Sequence, residues 1–180
     1  ASRAATSSTD AEAAGSLFQW GRFSEGHQCR NSATTSTIAT TATPNLGNTW
    51  DGKKINNLSP YNWLSPLNFN LWQGVDGVNN PCPTGYRLPT KAEWEAEVAS
   101  WSSSNTAGAY GSPLKLVTTG ARDAANANIF SPAQAGFYWS SSTNPNNTNG
   151  LDGYYYLSIQ NGSVSPFNSA TGMAVRCIKD

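Results

Sequence analysis

Residues 85–101, GYRLPTKAEWEAEVASW, constrain the fold more than any other stretch of the chain. Thr90 and Glu93 stand at the capping-box spacing, in which each side chain meets a backbone N–H left unpaired at a helix start. Glu93, Glu95 and Glu97 follow in the first two turns, the earliest of them favoured by the helix dipole. Trp94, Val98 and Trp101 recur at i, i+4 and i+7 and form one apolar stripe. The pattern predicts a single amphipathic helix of about eleven residues.

The C-terminal third reads as strand instead. GYYYLSIQ (153–160) alternates Tyr155, Leu157 and Ile159 against Tyr154, Tyr156, Ser158 and Gln160, one face apolar and the other polar-aromatic. Asn161-Gly162 follows, the strongest short-range hairpin signal. SVSPF then returns, with Pro166 ending that strand or marking an edge. GMAVRCI (172–178) reads as a last strand with Met173, Val175 and Cys177 on one face, and SLFQWGRF (16–23) as a first, with Leu17, Phe18, Trp20 and Phe23 available to a core. Residues 1–15 are small and polar and read as a stalk, flexible segment or short helix ahead of a domain spanning 16–180. Residues 24–80 are dominated by loops, and their hydrophobic residues keep neither helical nor strand period. One helix and several antiparallel strands predict an α+β domain.

A chain of 180 residues with seven tryptophans can bury a substantial core in one domain. Charged residues are only 12 %, about half the usual share, and Asn, Ser, Thr and Gly stand in their place. The zero formal net charge leaves no basic stripe to neutralise phosphates, so nucleic acid is not an expected partner. The longest apolar run is far short of a membrane span. Cys29, Cys82 and Cys177 fit no metal spacing, and at most one pair can bridge. His27 precedes Cys29 by two residues, poor geometry for a thiol–imidazole nucleophile. Asp51, Asp76 and Asp123 lie in Gly- or Asn-rich loops without the spacing of a calcium cage. No cofactor, catalytic residue or metal ligand is assigned, although structural calcium stays open. Arg176 alternates away from the core and reads as a structural ion pair or carbonyl clamp.

Residues 140–150, SSSTNPNNTNG, have the composition of a linker. They lie, however, between AGFYW (135–139) and GYYYLSIQNG (153–162), two of the most aromatic runs in the chain.

Four pieces together, WGR (20–22), NPCPTGYRLPTKAEW (80–94), FYWSSS (137–142) and GMAVRC (172–177), resemble the Fibrobacter-type major paralogous domain. That family belongs to the formylglycine-generating-enzyme branch of the C-type lectin fold, and the resemblance covers residues 16–180. It implies a short twisted, mainly antiparallel sheet with one or two helices and long, ligand-binding loops. It also implies that the ends of the domain come close, so that Cys82 and Cys177 could be bridged; two separate buried thiols are the alternative. Members of this fold include variable proteins of diversity-generating retroelements, in which adenines of Asn codons (AAY) are randomised. Residues 140–171 resemble such a variable region. The resulting NNY codons cannot encode Lys, Glu, Gln, Met or Trp. Between Ser140 and Thr171 none of Lys, Glu, Met or Trp occurs and Gln occurs once, at Gln160, although the five types make up 23 of the 180 residues.

On this resemblance the ligand contacts fall on Ser141, Ser142, Asn144, Asn146, Asn147, Asn149, Asp152, Tyr154, Tyr156, Ser158, Ser163, Ser165, Phe167 and Asn168. Tyrosine with small polar residues is also the composition of antibody paratopes. The scaffold falls on Phe137, Trp139, Tyr155, Leu157, Ile159, Val164, Met173 and Val175. The implied function is non-enzymatic recognition of a host-surface protein or glycan, from an extracellular position on a bacterial surface or phage virion. A fixed adhesin or structural domain is the second reading, and an oxidase of the formylglycine-generating type the third. The oligomeric state is not legible.

Overall fold

The computed structural model describes residues 4–44, 48–57, 59, 61–147 and 150–180. The strands are β1 (Phe18–Gln19), β2 (Thr34–Thr35), β3 (Lys54–Ile55), β4 (Tyr86–Arg87), β5 (Ala121–Arg122), β6 (Ile129–Phe130), β7 (Phe137–Thr143), β8 (Tyr154–Ser158), β9 (Ser163–Phe167), β10 (Gly172–Met173) and β11 (Ile178–Lys179). Two α-helices, α1 (Lys91–Ala99) and α2 (Thr106–Gly111), complete the order among the described residues. The chain is therefore α+β, with mostly antiparallel pairing. The strands form a four-stranded sheet, β1-β10-β5-β6, a three-stranded sheet, β7-β8-β9, and two short pairs, of which β2-β3 is parallel.

The predicted helix is present and starts where the spacing places it. Thr90 Oγ1 accepts from Glu93 N at 3.2 Å, and Glu93 Oε2 accepts from Thr90 N at 2.7 Å. Arg87 adds a fork to the same carboxylate, 2.8 Å on each arm, and pulls the Glu93 carboxyl down to about 2. Trp94 and Trp101 are buried and Val98 packs beside them, so the apolar stripe lies on the three-stranded sheet. The hairpin is also present, with Ser158 opposite Ser163 and four loop residues between them. Gly162 turns that loop at φ 62°, a conformation other residues adopt only with strain. Pro166 sits in β9, an edge strand, where its missing N–H costs no ladder bond.

Other expectations are corrected. The strand expected over 16–23 pairs only at Phe18–Gln19, and Phe23 is 45 % exposed instead of joining the core. The strand expected over 172–178 breaks into β10 and β11, because β10 pairs with β1 while β11 pairs with β4. Residues 4–15, for which the sequence allows a short helix as well as a stalk, carry a 3-10 turn at Ala11–Ala13 capped by the buried Asp10, and Ser8 O accepts from Thr118 N at 2.8 Å.

Two apolar clusters sandwich the three-stranded sheet. One contains Trp94, Trp101, Tyr138, Leu157 and Ile159 beneath α1. The other contains Trp20, Trp50, Trp63, Trp72, Trp139 and Tyr154. All seven tryptophans are buried. Their indole N–H groups tie distant segments together: Trp20 donates to Ser140 O, Trp63 to Trp20 O, Trp72 to Asn79 O and Trp139 to Phe18 O, at 2.6–2.8 Å. Through Trp50, Trp63 and Trp72 the loops of 24–80, whose regular structure among the described residues is the short β2-β3 pair, become part of the core. Cys82 and Cys177 form a disulfide across 95 residues, while Cys29 is a free, exposed thiol.

Candidate functional site

The face of β8 carrying Tyr154, Tyr156 and Ser158 also carries Trp139 opposite Tyr156, and Ser165 and Phe167 opposite Tyr156 and Tyr154. The alternation expected from the sequence therefore holds, but the two faces are not one buried and one open. Tyr154 is 2 % exposed, its ring 4.4 Å from that of Trp20 and stacked on Phe69 at 5.3 Å. Burial raises its phenol far above the usual range, so it stays protonated. It is a core residue as placed, not a contact. Tyr155, expected as scaffold, is only half-buried at the far side, with Lys91 Nζ 5.6 Å from its ring centre. Both faces of the sheet are covered, so local stacking partners, not periodicity, decide which tyrosine is sealed.

Three further expected contacts are buried. Ser141 N donates to Pro89 O at 2.9 Å, joining β7 to the start of α1. Ser158 is sealed near the hairpin. Asn168 Oδ1 accepts from both Thr171 N and Thr171 Oγ1 at 3.0 Å and shapes the turn after β9. Ser142 Oγ accepts from Lys91 N at 2.9 Å and serves the helix start. Asn146 and Asp152 are exposed, and Asn144, Asn147, Tyr156, Ser163, Ser165 and Phe167 are half-buried. Asn149 lies outside the described residues. The scaffold residues Trp139, Leu157 and Ile159 are fully buried, and Val175 packs half-buried against the core.

The polar stretch is pinned at both ends. Asn144 N donates to Gly153 O at 2.8 Å, and Thr143 pairs with Tyr154 after an irregularity in the ladder. Gly150 has φ 72°, and a Cβ there would lie 2.0 Å from the Asn62 side chain. Only glycine fits that approach.

Beside the half-open end of this face lies a cavity of about 380 Å³ lined by Tyr61, Asp123, Ala124, Phe130, Leu151, Asp152, Phe167, Asn168 and Thr171. Its size falls within the range of small-ligand pockets, roughly 300–1,000 Å³. Phe130 and Leu151 are 38 % and 39 % exposed, which makes an apolar rim on an otherwise polar surface. An aromatic chain runs from the rim along the sheet, Phe130 to Phe137 at 5.9 Å, Phe137 to Tyr156 at 5.9 Å and Tyr156 to Phe167 at 5.8 Å. Tyr61 holds φ 62°, while Ala127 and Ser131 flank Phe130 at 62° and 49°. Such left-handed backbone costs about 1–2 kcal/mol per non-glycine residue and concentrates at functional positions.

Of the expected contacts, the cavity gathers Asp152, Phe167 and Asn168. Sequence reasoning missed Tyr61 and Leu151, which stand in loops without period, and Phe130, which ends the two-residue strand β6; Asp123 was weighed only as a metal ligand. The one available signal was a large apolar side chain in a polar stretch.

His27 and Arg176 make structural contacts. His27 is fully buried, its Nε2 accepting from Gln19 N at 3.1 Å and its Nδ1 facing Glu25. Both ring nitrogens are thus engaged away from Cys29. Burial pulls the His27 imidazole down to about 4. Arg176 Nη2 donates to Leu114 O at 2.9 Å, a carbonyl clamp. Among the described residues no group of three His, Cys, Asp or Glu could hold a metal ion, and no helix is long and apolar enough to cross a membrane.

No family model, curated protein or solved structure matches the chain.

Proposed function

We propose that the chain is a ligand-binding display domain of the C-type lectin fold, a retroelement-diversified variable protein presented on a bacterial surface or phage virion. Its work is recognition of a host-surface protein or glycan, without chemistry. The observation that carries this reading is the cavity beside β9. It joins exposed apolar side chains, Phe130 and Leu151, to Asp152 and Phe167 of the expected variable segment. Exposed apolar surface rimmed by polar groups marks interaction sites, and rigid aromatics beside adaptable Asn and Ser suit protein recognition. The pinned loop ends favour a preformed surface, which loses little entropy on binding. The Cys82–Cys177 disulfide fits an exported protein. The engagement of His27 by Gln19 and Glu25 supports recognition over oxidase chemistry.

The working face is accordingly narrower than the sequence implies. It consists of Asn144, Asn146, Asn147, Asp152, Tyr156, Ser163, Ser165 and Phe167, with Tyr154, Ser141, Ser158 and Asn168 as its support. The deciding experiment has two arms. Sister copies of the gene are sequenced together with their neighbourhood, and the purified protein and its Phe167→Ala and Leu151→Arg variants are tested for binding to host cells. Diversified codons near a reverse transcriptase, with binding lost in both variants, are expected. Identical residues at 140–171 in otherwise diverging copies would instead establish the fixed adhesive domain.

A further inference from the structure

The cavity is built half from inside the segment 140–171 and half from outside it. Leu151, Asp152, Phe167, Asn168 and Thr171 belong to the segment, whereas Tyr61, Asp123, Ala124 and Phe130 come from the body. Resting on the display reading, this division means that diversified copies would share the wall that carries Asp123 and Phe130, whereas Asp152 and Phe167 are particular to this copy. The charge of the cavity is one-sided. Asp123 and Asp152 line the cavity and no basic side chain does. Asp152 is exposed and has no ion-pair partner among the described residues. Asp123 accepts Ala125 N and Asn126 N at 2.9 and 3.0 Å on Oδ1, with no donor to Oδ2 among the described residues.

The nearby cations already have other partners. Arg122 spends its guanidinium on Ala127 O, Cys29 O and Ser32. Lys54 is buried with Nζ 3.0 Å from Ala170 O; burial lowers its ammonium and Asp123 opposes that shift, so Lys54 offsets part of the Asp123 charge and leaves Asp152 without a cation. Aromatic side chains supply the other element of a cation site, because ring faces attract guanidinium and ammonium groups. The same pairing recurs within this molecule, where Arg22 lies 5.2 Å from the Trp50 ring centre and Lys115 lies 5.0 Å from that of Tyr110.

We infer that the cavity takes a cationic side chain, arginine or lysine, presented by a protein partner. Its carboxylates would meet the charge, Phe130 and Phe167 the aliphatic stem, and the exposed Leu151 the surrounding partner surface. A neutral glycan would leave the Asp152 carboxylate without a counter-charge, which favours the protein partner over the sugar.

The test titrates the full chain with Nα-acetyl-arginine amide, with its neutral isostere Nα-acetyl-citrulline amide, and with methyl glycosides, following the Phe130, Leu151 and Phe167 resonances by NMR. The arginine amide is expected to shift these resonances with weak, millimolar-range affinity, and citrulline amide not to. Asp152→Asn, which removes a charge that no structural bond uses, should weaken binding about three- to fivefold, and added salt should weaken it further. Phe130→Ala should weaken it independently. Equal shifts with citrulline amide, an unchanged affinity in Asp152→Asn, or shifts from glycosides alone would overturn the inference. Diversified sister copies together with a cavity that ignores the cationic probe would overturn this inference alone and leave the display reading standing.

Discussion

Burial separates Tyr154 from Tyr156 although one face of β8 carries both. Tyr154 is stacked between Trp20 and Phe69, whereas Tyr156 is half-buried against Phe137 and Phe167. Replacing a fully buried aromatic by alanine removes its transfer energy and leaves a cavity. Tyr154→Ala should therefore cost about 3–5 kcal/mol, and Tyr156→Ala about 1–3 kcal/mol, both read from urea unfolding midpoints. Host binding should follow the opposite order once folding is accounted for. His27 makes a second prediction at this scale. The folded state keeps its imidazole neutral down to about 4, mainly because it is buried, whereas the unfolded chain takes up a proton near 6.5. Above that value the two states bind the same number of protons, so stability is insensitive to this group. As pH falls from 6.5 towards 4, only the unfolded state gains the proton, and stability should drop by up to about 3 kcal/mol. Denaturant titrations at successive pH values check this, and His27→Asn should flatten the profile between pH 6.5 and 4.5. Neither residue's state was legible beforehand: period 2 places Tyr154 on a face but says nothing of what covers that face.

At the level of elements, legibility followed locality. Helix α1 could be read because its signals are contained within it: a cap three residues from its partner and a stripe at helical spacing. Thr90→Ala should cost about 1 kcal/mol in thermal or chemical unfolding, without altering the cavity. The Asn-Gly turn and the edge position of Pro166 were legible for the same reason. The short strands were not. β1, β10 and β11 are held by partners far away in the chain, such as Phe18 opposite Met173 and Ile178 opposite Arg87. Their lengths are set where those partners stop, not where the hydrophobic residues stop. The polar stretch 140–150 shows the limit from the other side. Its composition reads as linker, yet Asn144 N is bonded to Gly153 O and Gly150 lies close against the Asn62 side chain.

On the scale of the whole molecule, the segment 24–80 escaped reading because its order comes from Trp50, Trp63 and Trp72 entering a shared core. That packing leaves no period in the sequence. Cys82 packs against the same cluster, and joining it to Cys177 restricts a loop of 95 residues in the unfolded chain. Cys82→Ser with Cys177→Ser should lower stability by about 2–5 kcal/mol, measured against the oxidised parent. Core, disulfide and cavity together define where diversification could be tolerated. A randomised position must leave the aromatic clusters intact, and four of the expected contacts do not meet that condition. Ser141 is locked to Pro89, Asn168 shapes its own turn, Ser158 is sealed, and Tyr154 fills the core. Gly150 cannot accept a Cβ at all beside Asn62. Substitutions among sister copies should therefore gather at Asn144, Asn146, Asp152, Ser163, Ser165 and Phe167. Ser141, Gly150, Tyr154, Ser158 and Asn168 should stay constant or change only to residues of similar size. Aligning sister sequences measures this directly. Free variation at Tyr154 or Gly150, at the frequency seen for Asp152, would count against the recognition face proposed for this segment.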